Sequence, residues 1–338
     1  MATKQISTSK RAEVEREVCL KISRATMQSL VTFCTDHVQD HPVAFYGGYG
    51  VEDVAWVYVY YLCSNLAYSK LQRKTGIPKS NYKQIFGTFR RILILWADAR
   101  LQDHSDQTTD QRAAIAQRLV QDQEFRTTFV MDGTKLFSIT SNSSGVHCRV
   151  WKPPKKKDRK ANASFKLYGK TARNYIVAVS HDEVIRYVSY GFGARSSDIV
   201  ALDNCATNLK AVTNWTRGDS ILADGGFRGT DGYDTTDDMK FVIPHKKPHR
   251  QQLSDDKKRW NTRLSSVRSK VERVFGKVLS YSKFITYSKL KLKFGVLNMF
   301  RGTIERHEDI FRICCALYNC CLLETINQAA TRVDAMLN

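Results

Sequence analysis

A handful of short apolar runs between Phe129 and Pro244 sets the limits on what this chain can become. They are FVM at 129–131, two runs within LFSITSNSSGVHCRVW at 136–151, NYIVAVS at 174–180, IRYVSYGF at 185–192, DSILA at 219–223 and MKFVIP at 239–244. Each is rich in β-branched and aromatic residues and only a few residues long, which is strand composition. Helical spacing of apolar residues brackets them on both sides. Strands in the middle with helices around them predict an α/β layer domain, a mixed sheet flanked by helices.

The helical flanks read as follows. Residues 1–50 alternate charged and apolar positions at helical spacing and close on a glycine turn. Val51–Leu71 is aromatic and apolar throughout and predicts one buried helix. Residues 68–97 divide into a short helix, a turn at Gly76-Ile77-Pro78, and a longer helix starting near Lys79 or Ser80, with Ser80 as its cap. Tyr82, Ile85, Phe86, Phe89, Ile92, Leu93 and Trp96 fall on one side of that second helix, and Lys79, Lys83, Arg90 and Arg91 near the other. This is the layout of a helix-turn-helix, although a plain helical hairpin shares it. Residues 102–112 read as a polar linker, Ala113–Arg126 as a short helix, GARSSDIVALDNCATNLKAV as a Ser- and Asp-started helix, and Glu308–Ile326 as a buried one.

Ser254–Tyr281 predicts the longest amphipathic helix in this part of the chain. Ser254 caps it, Asp255 and Asp256 meet the positive end of the helix dipole, and Trp260, Leu264, Val267, Val271, Val274 and Val278 form the apolar stripe. Around the stripe the helix is densely basic, with Glu272 as one carboxylate among the cations.

Charge narrows the function. The chain holds 53 Lys and Arg against 33 Asp and Glu, a formal +20, which points to a polyanion, nucleic acid before membrane. No apolar run reaches the roughly 20 residues a bilayer requires, and the N-terminus lacks the apolar centre of a secretory signal. Nine cysteines without a C-x-x-C pair fit a reducing compartment rather than a disulfide framework, and Cys314, Cys315, Cys320 and Cys321 read as small core hydrophobes. The insert KPPKKKDRK at 152–160 is an exposed loop whose Lys155, Lys156 and Lys157 fit phosphate contact, nuclear import or plain solvation alike. The acidic run 231–238 reads as a solvated loop.

Two of the apolar runs end in acid and glycine, Asp132-Gly133 and Asp224-Gly225, and 48 residues beyond the second lies Glu272. Two strand-end acids and one helix acid can converge at the edge of a sheet. Carboxylates so gathered repel one another unless cations neutralise them, and hard oxygen donors suit a pair of Mg²⁺ or Mn²⁺ ions. Two such ions about 4 Å apart serve phosphodiester chemistry. The plainer readings are two ordinary turn acids and a Glu272 paired along its helix with Arg268 or Arg273.

FVMDGT, GFGARSSD, ILADGGFRG, KFVIP, NTRLSSVRSKVERVFGKV and ICCALYN, in that order, resemble the DDE transposases of the PIF/Harbinger type, relatives of the bacterial insertion-sequence-5 group. The resemblance covers roughly residues 125–325 and is strongest around Asp224 and over Arg268–Gly276. It implies an RNase H-like catalytic domain, placed here at 113–328 with a tail at 329–338. Before it comes a helical region, 1–112, with a helix-turn-helix at about 68–97. It implies DNA strand cleavage and joining with two divalent ions, and makes Asp132, Asp224 and Glu272 the metal-binding triad by matching position. Double-stranded DNA is the implied substrate, with a homo-oligomer and a separate Myb-like DNA-binding protein as partners, and the nucleus as location in a eukaryote (otherwise the cytoplasm). Lys79, Lys83, Arg90, Lys155, Lys156, Lys157, Arg228, Arg268, Lys270 and Arg273 are the expected DNA contacts. The chain departs from relatives at Gly193–Asp198, where Pro-Gly-Ser-x-x-Asp is frequent, and at Leu317-Tyr318-Asn319, where Leu-His-Asn is frequent. A captured transposase that binds DNA without chemistry, and an RNA-processing nuclease, remain open alternatives.

Overall fold

The computed structural model describes residues 4–40, 48–105, 107–138, 171–193, 196–229, 239–248, 251–275, 289–297, 300 and 304–337. The expectations for 41–47, for 139–170 with Lys155–Lys157, for the acidic run 231–238 and for 276–281 lie outside the described residues. Two compact units emerge, Met1–Leu101 with Leu290–Asn338, and Gln102–Lys289.

The first unit is helical. It holds α1 (Thr8–Cys19), α2 (Arg24–Asp40), α3 (Val51–Ser64), α4 (Tyr68–Thr75), the body of α5 (Lys79–Ser105), and α9 (Lys289–Lys293) and α10 (Ile304–Leu337) from the far end of the chain. Its centre is α3, buried without a break from Asp53 to Cys63, as a helix apolar on every side must be. The polar member, Asp53, accepts the Ile6 N–H at 3.1 Å and an Arg11 Nη1–H at 2.6 Å. The single helix expected over Val51–Leu71 is two: Asn65 takes φ 52° and ends α3. Asn is one of the few side chains that tolerates this left-handed conformation. Gly76, at φ 81°, ends α4.

The cap expected of Ser80 is supplied by Gln72, whose Oε1 accepts the Lys79 N–H at 3.0 Å. Ser80 Oγ bonds Asn81 Oδ1 instead. The apolar face of α5 is buried at every position expected of it from Tyr82 to Trp96, and Tyr58 sets its ring edge-on to Phe86 and Phe89. In α10, Cys314, Cys315 and Cys321 are buried in the apolar face, and burial pushes the Cys314 and Cys315 thiols up.

The second unit carries the sheet. It comprises α6 (Thr109–Leu119), β1 (Phe129–Ser138), β2 (Thr171–Val179), β3 (Ile185–Val188), the two-residue β4 (Phe192–Gly193), α7 (Asp198–Val212), β5 (Ser220–Leu222), β6 (Lys240–Val242) and α8 (Asp255–Phe275). The linker expected over 102–112 is helix at both ends: α5 runs to Ser105, and a Thr108–Gln111 capping box starts α6. The sheet runs β3-β2-β1-β5-β6, with β4 beside β2. β3, β2 and β1 are antiparallel, and β1, β5 and β6 parallel, so the sheet is mixed.

One face is covered by α7. Phe129 and Met131 of β1, Ile176 and Ala178 of β2, and Ile221 and Ala223 at β5 form one core with Ala201, Leu202, Cys205 and Leu209 of that helix. Side chains alternate across a strand, so Val130, Asp132 and Leu222 belong to the other face. α8 packs against β1, and among the described residues none of its side chains joins the α7 core.

Candidate active site

The local anatomy of β1 differs from expectation. Asp132-Gly133 does not end the strand; β1 continues to Ser138, with Asp132 opposite Val177 and Gly133 opposite Ile176 of β2. What stops there is the parallel partner. β5 ends at Leu222, and Asp224 caps a 3-10 turn (Gly225–Phe227), its Oδ1 accepting the Gly226 N–H at 2.6 Å. β1 therefore projects beyond β5 toward β2 because its antiparallel ladder outlasts its parallel one.

The pairing of β1 with β5 sets the two acid-bearing segments side by side. Phe129 lies opposite Ile221 and Val130 opposite Leu222. The ladder stops there, with Asp132 two residues past Val130 and Asp224 two past Leu222, so both acids lie just beyond the same end of the β1–β5 pairing. The register is fastened at its start: Thr128 Oγ1 accepts the Ser220 N–H and donates to the Ser220 carbonyl, both at 2.9 Å. Just before β5, the buried Asp219 carboxylate receives Arg112 Nε and Nη2 of α6 at 3.0 and 2.5 Å. Arg112 also donates to the Thr213 carbonyl. Asp132 is buried, with Oδ1 accepting the Gly133 N–H at 3.0 Å, and Asp224 is half-buried.

α8, which bears Glu272, is fixed at both ends. Its Ser254 cap holds as expected, with Oγ near the Lys257 N–H at 3.4 Å. Arg263 grips Asp122 through Nε and Nη2 at 2.6 and 2.7 Å and holds that carboxyl below the usual range. Asn261 exchanges hydrogen bonds with the His245 backbone at 2.8 and 3.1 Å, and Trp260 meets Phe125 edge-on. Toward the other end Arg273 donates to Glu183 Oε1 from Nε and Nη2 at 3.2 and 3.1 Å. Glu183 sits in the turn between β2 and β3 at φ 68°. One of the two cations that a simple helix pairing would give to Glu272 is thus taken by Glu183. Leu264 and Val274 of the predicted stripe are buried, and so is Arg268. The side chains of Glu272 and Lys270 lie outside the described residues.

Two further residues reach the acids, and motif reading had assigned neither a role. Asp198 begins α7 after its Ser197 cap, and Asn174 lies on β2. Asn174 Nδ2 donates to Asp198 Oδ1 at 3.1 Å. A side chain on Gly133 would overlap Asp198 Oδ1, and a Cβ on Gly226 would lie 2.6 Å from Asp198 Oδ2 and 2.8 Å from Asp224 Oδ1. The available signal was the glycine that follows each acid within two residues: Gly133 and Gly226 read as turn chemistry in the sequence and are clearance for a carboxylate in the fold.

The donors present suit a hard divalent cation: Asp132 and Asp224 offer carboxylate oxygens, and Asp224 retains Oδ2 beyond its turn bond. Among the described residues no three His, Cys, Asp or Glu side chains converge on one point. Asp198 lies under the α7 face of the strand that carries Asp132 on its other face.

The expected DNA contacts are scattered. Lys79 and Lys83 are exposed on the first turns of α5, while Arg90 is paired with Asp309 at 2.6 Å, both within the helical unit. Arg228 is exposed and donates to the Pro244 carbonyl at 3.2 Å. It borders an open cleft of about 600 Å³ along edge strand β6, lined also by Lys240, His245, Lys246 and Trp260. The His245 and Trp260 rings meet there at a tilt of 50°, with centres 4.6 Å apart.

The profile of a family described as DDE superfamily endonuclease matches residues 131–319, more than half of the chain. No curated protein and no solved structure matches it.

Proposed function

Because this chain belongs to the DDE superfamily of endonucleases, we propose that it is a transposase of the PIF/Harbinger type. It cuts and rejoins phosphodiester bonds at transposon ends. The observation that carries this is the parallel pairing of β1 with β5, which supports a reading in which Asp132 and Asp224, each two residues past the last pair, act together. The strand order, three antiparallel strands followed by two parallel ones, supports an RNase H-like reading of residues 113–328.

In this reading Asp132, Asp224 and Glu272 hold two divalent ions. The ions, Mg²⁺ or Mn²⁺, supply activation of a water or 3′-hydroxyl and neutralisation of charge on the leaving oxygen. The protein's part is placement. The Thr128–Ser220 pair keeps the two aspartates level, and the Arg273–Glu183 and Arg263–Asp122 pairs hold α8 so that Glu272 meets them. Arg228, Lys240 and Lys246 along the cleft contact phosphate, and Trp260 offers a ring for a base to stack on. α4 and α5 serve as a helix-turn-helix, with Lys79 and Lys83 toward the DNA. A homo-oligomer, a Myb-like partner and the nucleus follow from the same family reading.

The test is cleavage of duplex DNA carrying the element's terminal repeats in Mg²⁺. The full-length protein cleaves, chelation by EDTA stops it, and Asp224→Ala abolishes it. Cleavage by Asp224→Ala at the parental rate would overturn the assignment.

A further inference from the structure

We propose that Asp198 is a positioning residue for the acid pair: its carboxylate, seated beneath Gly133 and Gly226, fixes the spacing of the segments that carry Asp132 and Asp224. The inference rests on the DDE reading of that site and goes beyond the triad.

The geometry is specific. Gly133 follows Asp132 by one residue, and Gly226 follows Asp224 by two. Both glycines leave open the space into which Asp198 reaches, Oδ1 toward Gly133 and Oδ2 toward Gly226. One carboxylate thereby touches both acid-bearing segments from the α7 side. The Asp198 and Asp224 oxygens both crowd the position a Gly226 Cβ would take. Those two oxygens are therefore no further apart than the two distances laid end to end.

Asn174 completes the seat. It is fully buried in β2, and its Nδ2 donates to Asp198 Oδ1 and, at 3.4 Å, to the Ser196 carbonyl. Its Oδ1 has no partner among the described residues. Turning the amide over would set that oxygen against a carboxylate, so Asp198 dictates the orientation. A buried amide spent on aiming a carboxylate at two glycines is more than an acid at the first turn of a helix requires, because dipole stabilisation there needs no contact with distant strands.

Groups that orient metal-binding carboxylates from behind commonly cost 10–100-fold in metal affinity or activity when removed. The role here is one of shape and hydrogen bonding, so an isosteric amide should serve. Asn at 198 keeps an acceptor for Asn174 Nδ2 and turns a donor toward Asp224.

The experiment titrates Mn²⁺ calorimetrically into the full-length, DNA-free protein and, in parallel, measures the Mg²⁺ dependence of terminal-repeat cleavage. We expect Asp198→Ala to weaken Mn²⁺ binding roughly 10–100-fold and to raise the Mg²⁺ required for half-maximal cleavage with it. Asp198→Asn should stay within a few-fold of the parent. Gly133→Ala should be as weak as Asp198→Ala by itself, yet add nothing in the Asp198→Ala background, where the space it needs has been vacated. Should Asp198→Ala fail to fold by circular dichroism, Asn174→Ala takes its place and should weaken Mn²⁺ in the same direction.

Parental Mn²⁺ affinity in Asp198→Ala, an Asp198→Asn as weak as the alanine variant, or costs of Gly133→Ala and Asp198→Ala that simply add, each overturns the inference. Asp224→Ala separates the two levels. If it binds Mn²⁺ like the parent, the DDE reading of the site falls and this inference with it. If Asp224→Ala loses Mn²⁺ while Asp198→Ala keeps it, only the inference falls.

Discussion

Asp219 and Arg112 are each at most 1% exposed, so neither charge has water to fall back on. Removing one member of such a pair costs about 3–5 kcal/mol, most of it from the charge left behind. Asp219→Ala should lose that much in urea denaturation. Asp132 and Asp224 were conspicuous in the sequence because an apolar run followed by Asp-Gly is a local signal. Asn174 and Asp198 were not. Nothing in NYIVAVS or SSDIVAL announces that they touch; the contact exists because Gly133, far from both in sequence, has no side chain. Arg268, expected among the DNA contacts, is buried by its helix, which the charge pattern alone does not announce.

At the scale of elements, periodicity located α3, α5, α7, α8 and α10 and the strands β2, β3, β5 and β6, since each repeats one polarity pattern over its length. It missed where elements stop. Asn65 splits an unbroken apolar run through a single left-handed residue, and β1 runs past Asp132 because a partner strand, not its own composition, sustains it. The two ends of α8 carry different tasks. Arg273 was expected to touch phosphate or to hold the helix, and its bonds to Glu183 favour holding. Arg273→Gln should therefore slow cleavage while leaving DNA affinity and its salt dependence at parental values, read by a filter-binding titration beside the cleavage assay. A lowered salt slope would instead assign Arg273 to the backbone of the DNA.

For the molecule as a whole, the formal charge of +20 would make the proposed DNA binding a matter of counterion release. Between 50 and 200 mM salt, affinity for duplex DNA should fall about a thousandfold or more, as it does for proteins making several phosphate contacts. Fluorescence anisotropy across that range checks it, and a flat response would remove nucleic acid as the reason for the charge. The mixed sheet has one more consequence. β5 docks beside β1 only after β2, β3 and α7 have been laid down between them. Pairings so distant along the chain close slowly. In the DDE reading, a polypeptide cut short before β5 lacks Asp224 and one cut short before α8 lacks Glu272, so the full set of acids exists only once most of the chain has been made.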